Sequence, residues 1–262
     1  MDWSRTKSIF IITFVLLNIF LGYQLTEMQQ RQNLAELATP ALDSRLEEQR
    51  IDIDIDDPDE ERSGSPITAE VRAFEPVLLN QSLDDQEIDV EDDTTILSQL
   101  DDPYPVTMTS IRASVEPFLE RFVFRGEEYR VVEYDEDEQE IRLLQEFEGR
   151  IIDQYERDDF HLVLHVNDSD EIAAYEQTYL EVTDRGDDRE LLTTMSALEV
   201  LLDDNTIGIG TNVAVTEAQL GYYSLMEVDA NFQVYAPAWR ITIDEEAYYV
   251  NAMTGDIQDV SS

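Results

Sequence analysis

The chain has 262 residues, 42% of them hydrophobic, enough for one or two modest domains with a buried core, which argues against wholesale disorder. It carries 60 acidic against 17 basic residues, a net charge of −43, and such a surface repels nucleic-acid phosphates and anionic lipid headgroups. No cysteine is present, which removes disulfides, thiol catalysis and thiolate metal sites and leaves folding to packing alone.

The first predicted element is a membrane helix. From Ser8 to Thr26 there is no charged residue, a run about as long as a helix needs to cross roughly 30 Å of hydrocarbon. Arg5 and Lys7 precede it, and cations on that side hold the N-terminus in the cytoplasm. Residues 1–7 are then a cytoplasmic tip, 8–26 the span, and everything later extracytoplasmic. A cleaved signal peptide would end in small residues of an Ala-x-Ala-like pattern. Leu21, Gly22, Tyr23, Gln24 and Leu25 do not supply one, so the helix is expected to stay as an anchor. Asn18 places an amide in hydrocarbon, where it favours an interhelical hydrogen bond, and Gly22 lies one turn later on the same face. Val15, Asn18, Gly22 and Leu25 form the predicted helix–helix seam; the alternative is that a lone asparagine is merely tolerated.

Lys7 is the only lysine, and beyond the span 59 acids face 15 arginines. Arginine keeps its charge at any biological pH, so this composition fits an exterior adapted to alkaline or saline surroundings, and equally a codon bias of the lineage.

Residues 27–75 read as a juxtamembrane helix and an acidic linker. Thr39 and Pro40 suit an N-cap and first helical position, opening a short helix through about Arg50 with Leu42 and Leu46 on one face. Acids crowd around Pro58 from Asp52 to Glu61, and with Ser63, Gly64, Ser65 and Pro66 following, the segment is predicted to be solvated. Asp52, Asp54 and Asp56 alternate as in a calcium loop. However, Asp57 stands where the sharp turn needs glycine and Ser63 where a bidentate glutamate belongs.

Residues 76–189 are predicted as a first α+β unit. Ile111, Val115, Phe118, Leu119 and Phe122 recur at helical spacing, with Pro117 limiting or kinking the helix. Strands are expected at Tyr129–Tyr134, Ile141–Phe147, Arg150–Tyr155, Phe160–Val166 and Ile172–Val182, and their short connections imply antiparallel pairing. The order repeats over residues 190–262, with a helix at Leu191–Leu202 and strands at Ile207–Val215, Tyr222–Val228, Val234–Ile243 and Ala247–Asn251. An N-terminal transmembrane helix followed by two helix-plus-antiparallel-sheet units is an α+β fold.

Little in this pattern carries chemistry. His161 and His165 are spaced for a zinc-binding helix, but in FHLVLHV they alternate with Phe160, Leu162, Leu164 and Val166. Both imidazoles would lie on the polar face of a strand, about 13 Å apart at roughly 3.3 Å per residue, too far for one metal. Gly208 and Gly210 form a short Gly-x-Gly, but Val213 occupies the third glycine position of a dinucleotide fingerprint, so a strand bend is the better reading. With so many acids, no carboxylate pair is informative. No catalytic, cofactor-binding or metal residue is assigned, and a non-enzymatic protein without a cofactor is expected.

Three stretches resemble a known family. MDWSRTKSIFIITFVLLNIFLGYQL at the start, DDPYPV at Asp101–Val106 and AYEQTYLEV at Ala174–Val182 are similar to YycI, a membrane-anchored regulator of the cell-wall two-component system of Gram-positive bacteria. The ending, PAWRITIDEEAYYVNAMTGDI, looks like the closing hairpin of PepSY-type modules, in which Trp239, Ile241 and Ile243 would face inward together. The resemblance implies association with the sensor kinase WalK (YycG) and with YycH, through transmembrane and extracytoplasmic contacts, to modulate the kinase. The alternative from the ending is a standalone exterior module for a peptide, wall fragment or protease. The acidity of the exterior puts in doubt any charge-based contact carried over from relatives.

Overall fold

The computed structural model describes residues 13–14, 17–18, 46, 50–53, 63–153, 160–203, 213–224, 232–244 and 246–258. The chain forms two compact units, residues 1–53 with 208–214, and residues 54–207 with 215–262.

In the first unit Thr13, Phe14, Leu17 and Asn18 are helical and exposed. Leu46 is helical and buried, Arg50 adopts a left-handed conformation (φ 54°), and β1 (Asp52–Ile53) follows. The Ile51 amide donates to the Leu46 carbonyl at 2.9 Å and the Asp52 amide to the Val213 carbonyl at 3.0 Å. Leu46 and Arg50 are the described residues of the predicted Thr39–Arg50 helix; its remainder, the linker from Asp54 to Arg62 with its calcium-like acids, and the Gly208–Gly210 bend lie outside the described residues. Among the described residues no helix is long and apolar enough to cross a membrane.

The second unit mixes helix and strand and is dominated by sheet. β2 (Ser63–Gly64), β3 (Ile67–Val71), α1 (Pro76–Ser82), β4 (Gln86–Glu91) and β5 (Thr95–Pro105) lead into α2 (Ile111–Phe122). Then come β6 (Tyr129–Asp135), β7 (Glu140–Phe147), β8 (Arg150–Asp153), β9 (Leu162–Val166), β10 (Glu171–Gln177), β11 (Leu180–Arg185) and β12 (Arg189–Glu190). After α3 (Thr194–Asp203) follow β13 (Ala214–Ser224), β14 (Phe232–Ile243), β15 (Glu246–Asn251) and β16 (Ile257–Gln258). The hydrogen-bonded order is β11-β3-β14-β13-β8-β7-β9-β10-β5-β4, with β6 added on β7, β15 on β14 and β16 on β15.

The predicted stripe on α2 is realised. Val115, Phe118, Leu119 and Phe122 are buried against Ile141, Leu143, Leu162, Leu164, Ile172 and Tyr175 of β7, β9 and β10, as apolar residues spaced three and four apart on one helix face require. Pro117 sits inside the helix without ending it, because it and Ala113, whose carbonyl it cannot serve, both lie on the exposed face. A second core joins Ile67, Ala69, Ile152, Leu180, Tyr222 and Tyr235. In the C-terminal hairpin Trp239, Ile241 and Ile243 are buried, as their alternation predicts, and the Trp239 indole donates to the Leu192 carbonyl at 2.8 Å. The Thr254-Gly255 turn is closed by Asn251 Oδ1, which accepts from the Met253 and Thr254 amides, and Gly255 takes φ +75°.

Four expectations are corrected. Ser63–Pro66 is not solvated as a unit: β2 pairs with β12, Ser65 is fully buried, and Arg185 Nε donates to its Oγ at 2.8 Å. The predicted strand Ile172–Val182 is two strands, because the chain turns at Thr178 and Tyr179 from the β5–β10–β9 ladder to pair with β3. Pairing is not wholly antiparallel, since Tyr222 and Tyr223 run parallel to Ile152 and Asp153. Short connections dictate antiparallel order only between sequence neighbours, whereas β8 and β13 are separated by β9 to β12 and α3. Finally, His161 is not on a polar face: it lies before β9 with its ring buried. The sheet of β13 to β15 also draws β3 and β11 from upstream of residue 190.

Candidate functional site

The residues predicted to form the transmembrane seam come first. Asn18 Nδ2 donates to the Phe14 carbonyl at 2.7 Å within its own helix, the local bond an asparagine makes where no other helix supplies an acceptor. Val15, Gly22 and Leu25, and the topology residues Arg5 and Lys7, lie outside the described residues.

The second unit contains a buried polar junction. Gln145 on β7 is buried, and its amide group acts as a strand partner for Leu180: Nε2 donates to the Leu180 carbonyl at 2.9 Å and Oε1 accepts from the Leu180 amide at 2.8 Å. Gln145 thereby satisfies the backbone of β11 where it leaves the ladder, a need that follows from the desolvation of buried amide groups. The backbone N–H of Gln145 donates to His161 Nδ1 at 3.0 Å, and the Thr178 backbone N–H donates to the His161 carbonyl at 2.8 Å. Burial pushes the His161 pKa down to about 4, so the ring is neutral near pH 7.

A second set of polar groups secures the C-terminal end of α2, whose last carbonyls have no intrahelical partner. Tyr175 donates to the Phe122 carbonyl at 2.7 Å and Gln86 Nε2 to the same oxygen at 3.0 Å. Gln177 Nε2 donates to the Phe124 carbonyl at 2.7 Å and to Tyr129 Oη at 2.9 Å. The Tyr129 hydroxyl donates to the Thr178 carbonyl at 2.7 Å, linking this end of the helix to the junction. Desolvation raises the Tyr129 pKa beyond the ordinary phenol range, and that of Tyr175 likewise.

The other end of α2 borders a groove. The Val106 amide donates to the Asp170 carbonyl at 2.9 Å, fixing the chain after β5. Ser114 Oγ accepts from the Thr107 amide at 3.1 Å and donates to the Ile111 carbonyl at 3.0 Å, which sets the direction in which the helix starts. Between this start (Met108, Ile111 and Ala113) and β6 (Val131 to Tyr134) runs an open groove of about 410 Å³. Val132 is the extra residue of a β-bulge, since the register to β7 slips between Val131 and Glu133. The sequence signal for the bulge is the adjacent Val131 and Val132, which break the alternation of β6; the helix periodicity gave no hint of the groove itself.

His165 projects from the polar face of β9, as predicted, with Nδ1 3.6 Å from Glu140 and Nε2 3.4 Å from Glu176. Its two nitrogens thus meet different carboxylates. Arg142 sits between Glu133, Asp135 and Glu140 and covers the Phe160 ring at 5.2 Å. Hydrogen bonds from the Glu138 and Asp137 amides, together with Arg142, hold the Asp135 carboxyl below its usual range. Among the described residues no group of three or more His, Asp or Glu side chains is arranged to hold a metal ion.

No curated protein matches the chain. An uncharacterized protein from Eubacterium rectale shares the fold at a TM-score of 0.50 and 11% identity, over 76% of this chain and 87% of that one. YycH from Bacillus subtilis aligns at a TM-score of 0.39 and 13% identity, over 70% of this chain and 52% of that one. The family model described as YycI protein matches residues 29–253, most of the chain. This chain belongs to the YycI family.

Proposed function

We propose that the chain is a membrane-anchored accessory regulator of the YycFG two-component system, biasing the sensor kinase WalK (YycG) together with YycH. The observation that carries this reading is the family match over residues 29–253. The uncharged run from Ser8 to Thr26 supports the anchor, with residues 1–7 in the cytoplasm and the folded mass outside.

A kinase with two signalling states responds to a partner that binds one of them better, and a preference of about 1.4 kcal/mol changes their ratio tenfold. Polar contacts between membrane helices contribute roughly 0.6–2 kcal/mol. One seam through Val15, Asn18, Gly22 and Leu25 is therefore large enough to shift the kinase and small enough to remain reversible. In the seam Asn18 exchanges its bond to the Phe14 carbonyl for one across the helix pair. The exterior domain sets how often the seam is occupied, by holding YycH nearby.

The test is to replace Asn18 and Gly22 by leucine together and to measure kinase output in cells at equal protein abundance. A changed output is expected. Unchanged output removes the seam, and regulation restored by the exterior from about Pro66 onward, without the helix, reduces the span to a tether.

A further inference from the structure

We propose that the groove between α2 and β6 receives an extended segment of a partner protein, apolar on one face and cationic on the other, which adds to β6 as a further strand. The inference is independent of the seam, because it concerns a surface of the exterior alone.

Three observations converge on this groove. First, β6 pairs with β7 on one side only, so its other edge presents backbone amide and carbonyl groups at hydrogen-bonding spacing. The Gln145 amide turns toward His161 rather than β6, which makes Tyr129–Gln145 a non-hydrogen-bonded pair; alternation then points the Val131 backbone outward. Second, the floor of the groove is apolar and half-buried: Met108, Ile111, Val131 and Tyr134 pack on the core from below while facing the groove above. An edge strand beside a helix, with an apolar floor between, is the geometry that strand-addition sites use to combine backbone bonds with side-chain selection. Third, Pro117 has no amide for the Ala113 carbonyl, so this acceptor on the opposite wall lacks its usual partner four residues on.

Charge decides the kind of occupant. The walls of the groove carry one cation, Arg112 on α2, and one anion, Glu133 on β6, while Asp135, paired with Arg142, and the turn residues Glu136, Asp137 and Glu138 follow in succession at its Tyr134 end. The Tyr134 pKa is raised by burial and then by Glu136, Asp170 and Asp135, so these carboxylates bear on the same end of the groove. A cationic side chain is favoured there, and a second copy of this chain, at a net charge of −43, is not. The edge at β11 is the weaker acceptor, since the Gln145 side chain already occupies the Leu180 backbone there.

The full-length protein in mild detergent is titrated with a fluorescent twelve-residue peptide of alternating valine and lysine, with its valine–glutamate counterpart, and with a version N-methylated on alternate amides. Binding of the lysine peptide is expected, at least tenfold weaker for the glutamate and N-methylated forms, with slowed hydrogen exchange at Val131 to Tyr134. V132R is expected to weaken binding about tenfold with the melting temperature unchanged; if that variant misfolds, the exchange pattern of the native protein decides alone. Protection at β4 or β11 instead, or binding indifferent to peptide charge, overturns the proposal, as does a dimer of the native protein that V132R dissolves, which would assign the groove to a second copy.

Discussion

His161 gives the sharpest prediction, because its pKa couples a single buried ring to the stability of the fold. Burial lowers that pKa from 6.5 to about 4. An unfolded chain therefore binds the proton more readily than the folded one throughout this interval. The neutral ring's contribution is full above pH 6.5, declines as pH falls below it, and is lost once pH passes through about 4. A shift of this size corresponds to about 3 kcal/mol at pH 4, a large part of the stability of an ordinary domain. The residue is buried, with 8% of its surface exposed, so solvent screening takes little from that figure. H161N places a carbonyl oxygen close to where Nδ1 accepts the Gln145 amide, and it does not titrate. Urea unfolding curves of both proteins from pH 7.5 to 4 separate the effect from that of the many carboxylates, which both share. The native protein is expected to lose about 3 kcal/mol more than H161N over this range. Parallel pH dependence would refute the assignment of a buried neutral imidazole.

Two further predictions concern the framework. Gln145→Leu removes both bonds to the Leu180 backbone and leaves two buried groups unsatisfied, so a loss of roughly 2–5 kcal/mol is expected in the same unfolding assay, with faster hydrogen exchange at Leu180. At Gly126 an added Cβ would come closest to the Leu119 carbonyl carbon and oxygen, which are backbone and cannot swing aside. Gly126→Ala is therefore expected to lower stability by about 3 kcal/mol or more, whereas Gly149, with open space around it, accepts alanine at the smaller penalty of its φ of +81°.

Much of the C-terminal half was legible without coordinates. Alternation placed β14 and β15 and buried Trp239, Ile241 and Ile243, because a period of two has only one way to face a core. The α2 stripe was legible for the corresponding reason at a period near 3.6. The region from Ser63 to Pro105 was not, since its acids and its Ser-Gly-Ser-Pro run disguise the short β2 and β3 and the edge strand β4, and the exposed acids and proline of Asp101–Pro105 mask the end of β5, an interior strand between β10 and β4.

The site divides along the same line. Sequence by itself determined the uncharged run at the N-terminus, the overwhelming negative charge, the absence of cysteine and the composition of each strand face. All of these are local properties, set by neighbours within a few residues. Tertiary structure alone decided that His161 is buried, that Gln145 stands in for a strand beside Leu180, and that β6 keeps one edge open beside α2. Each of these depends on residues brought together from distant parts of the chain, and no periodicity records which strand finally lies next to which.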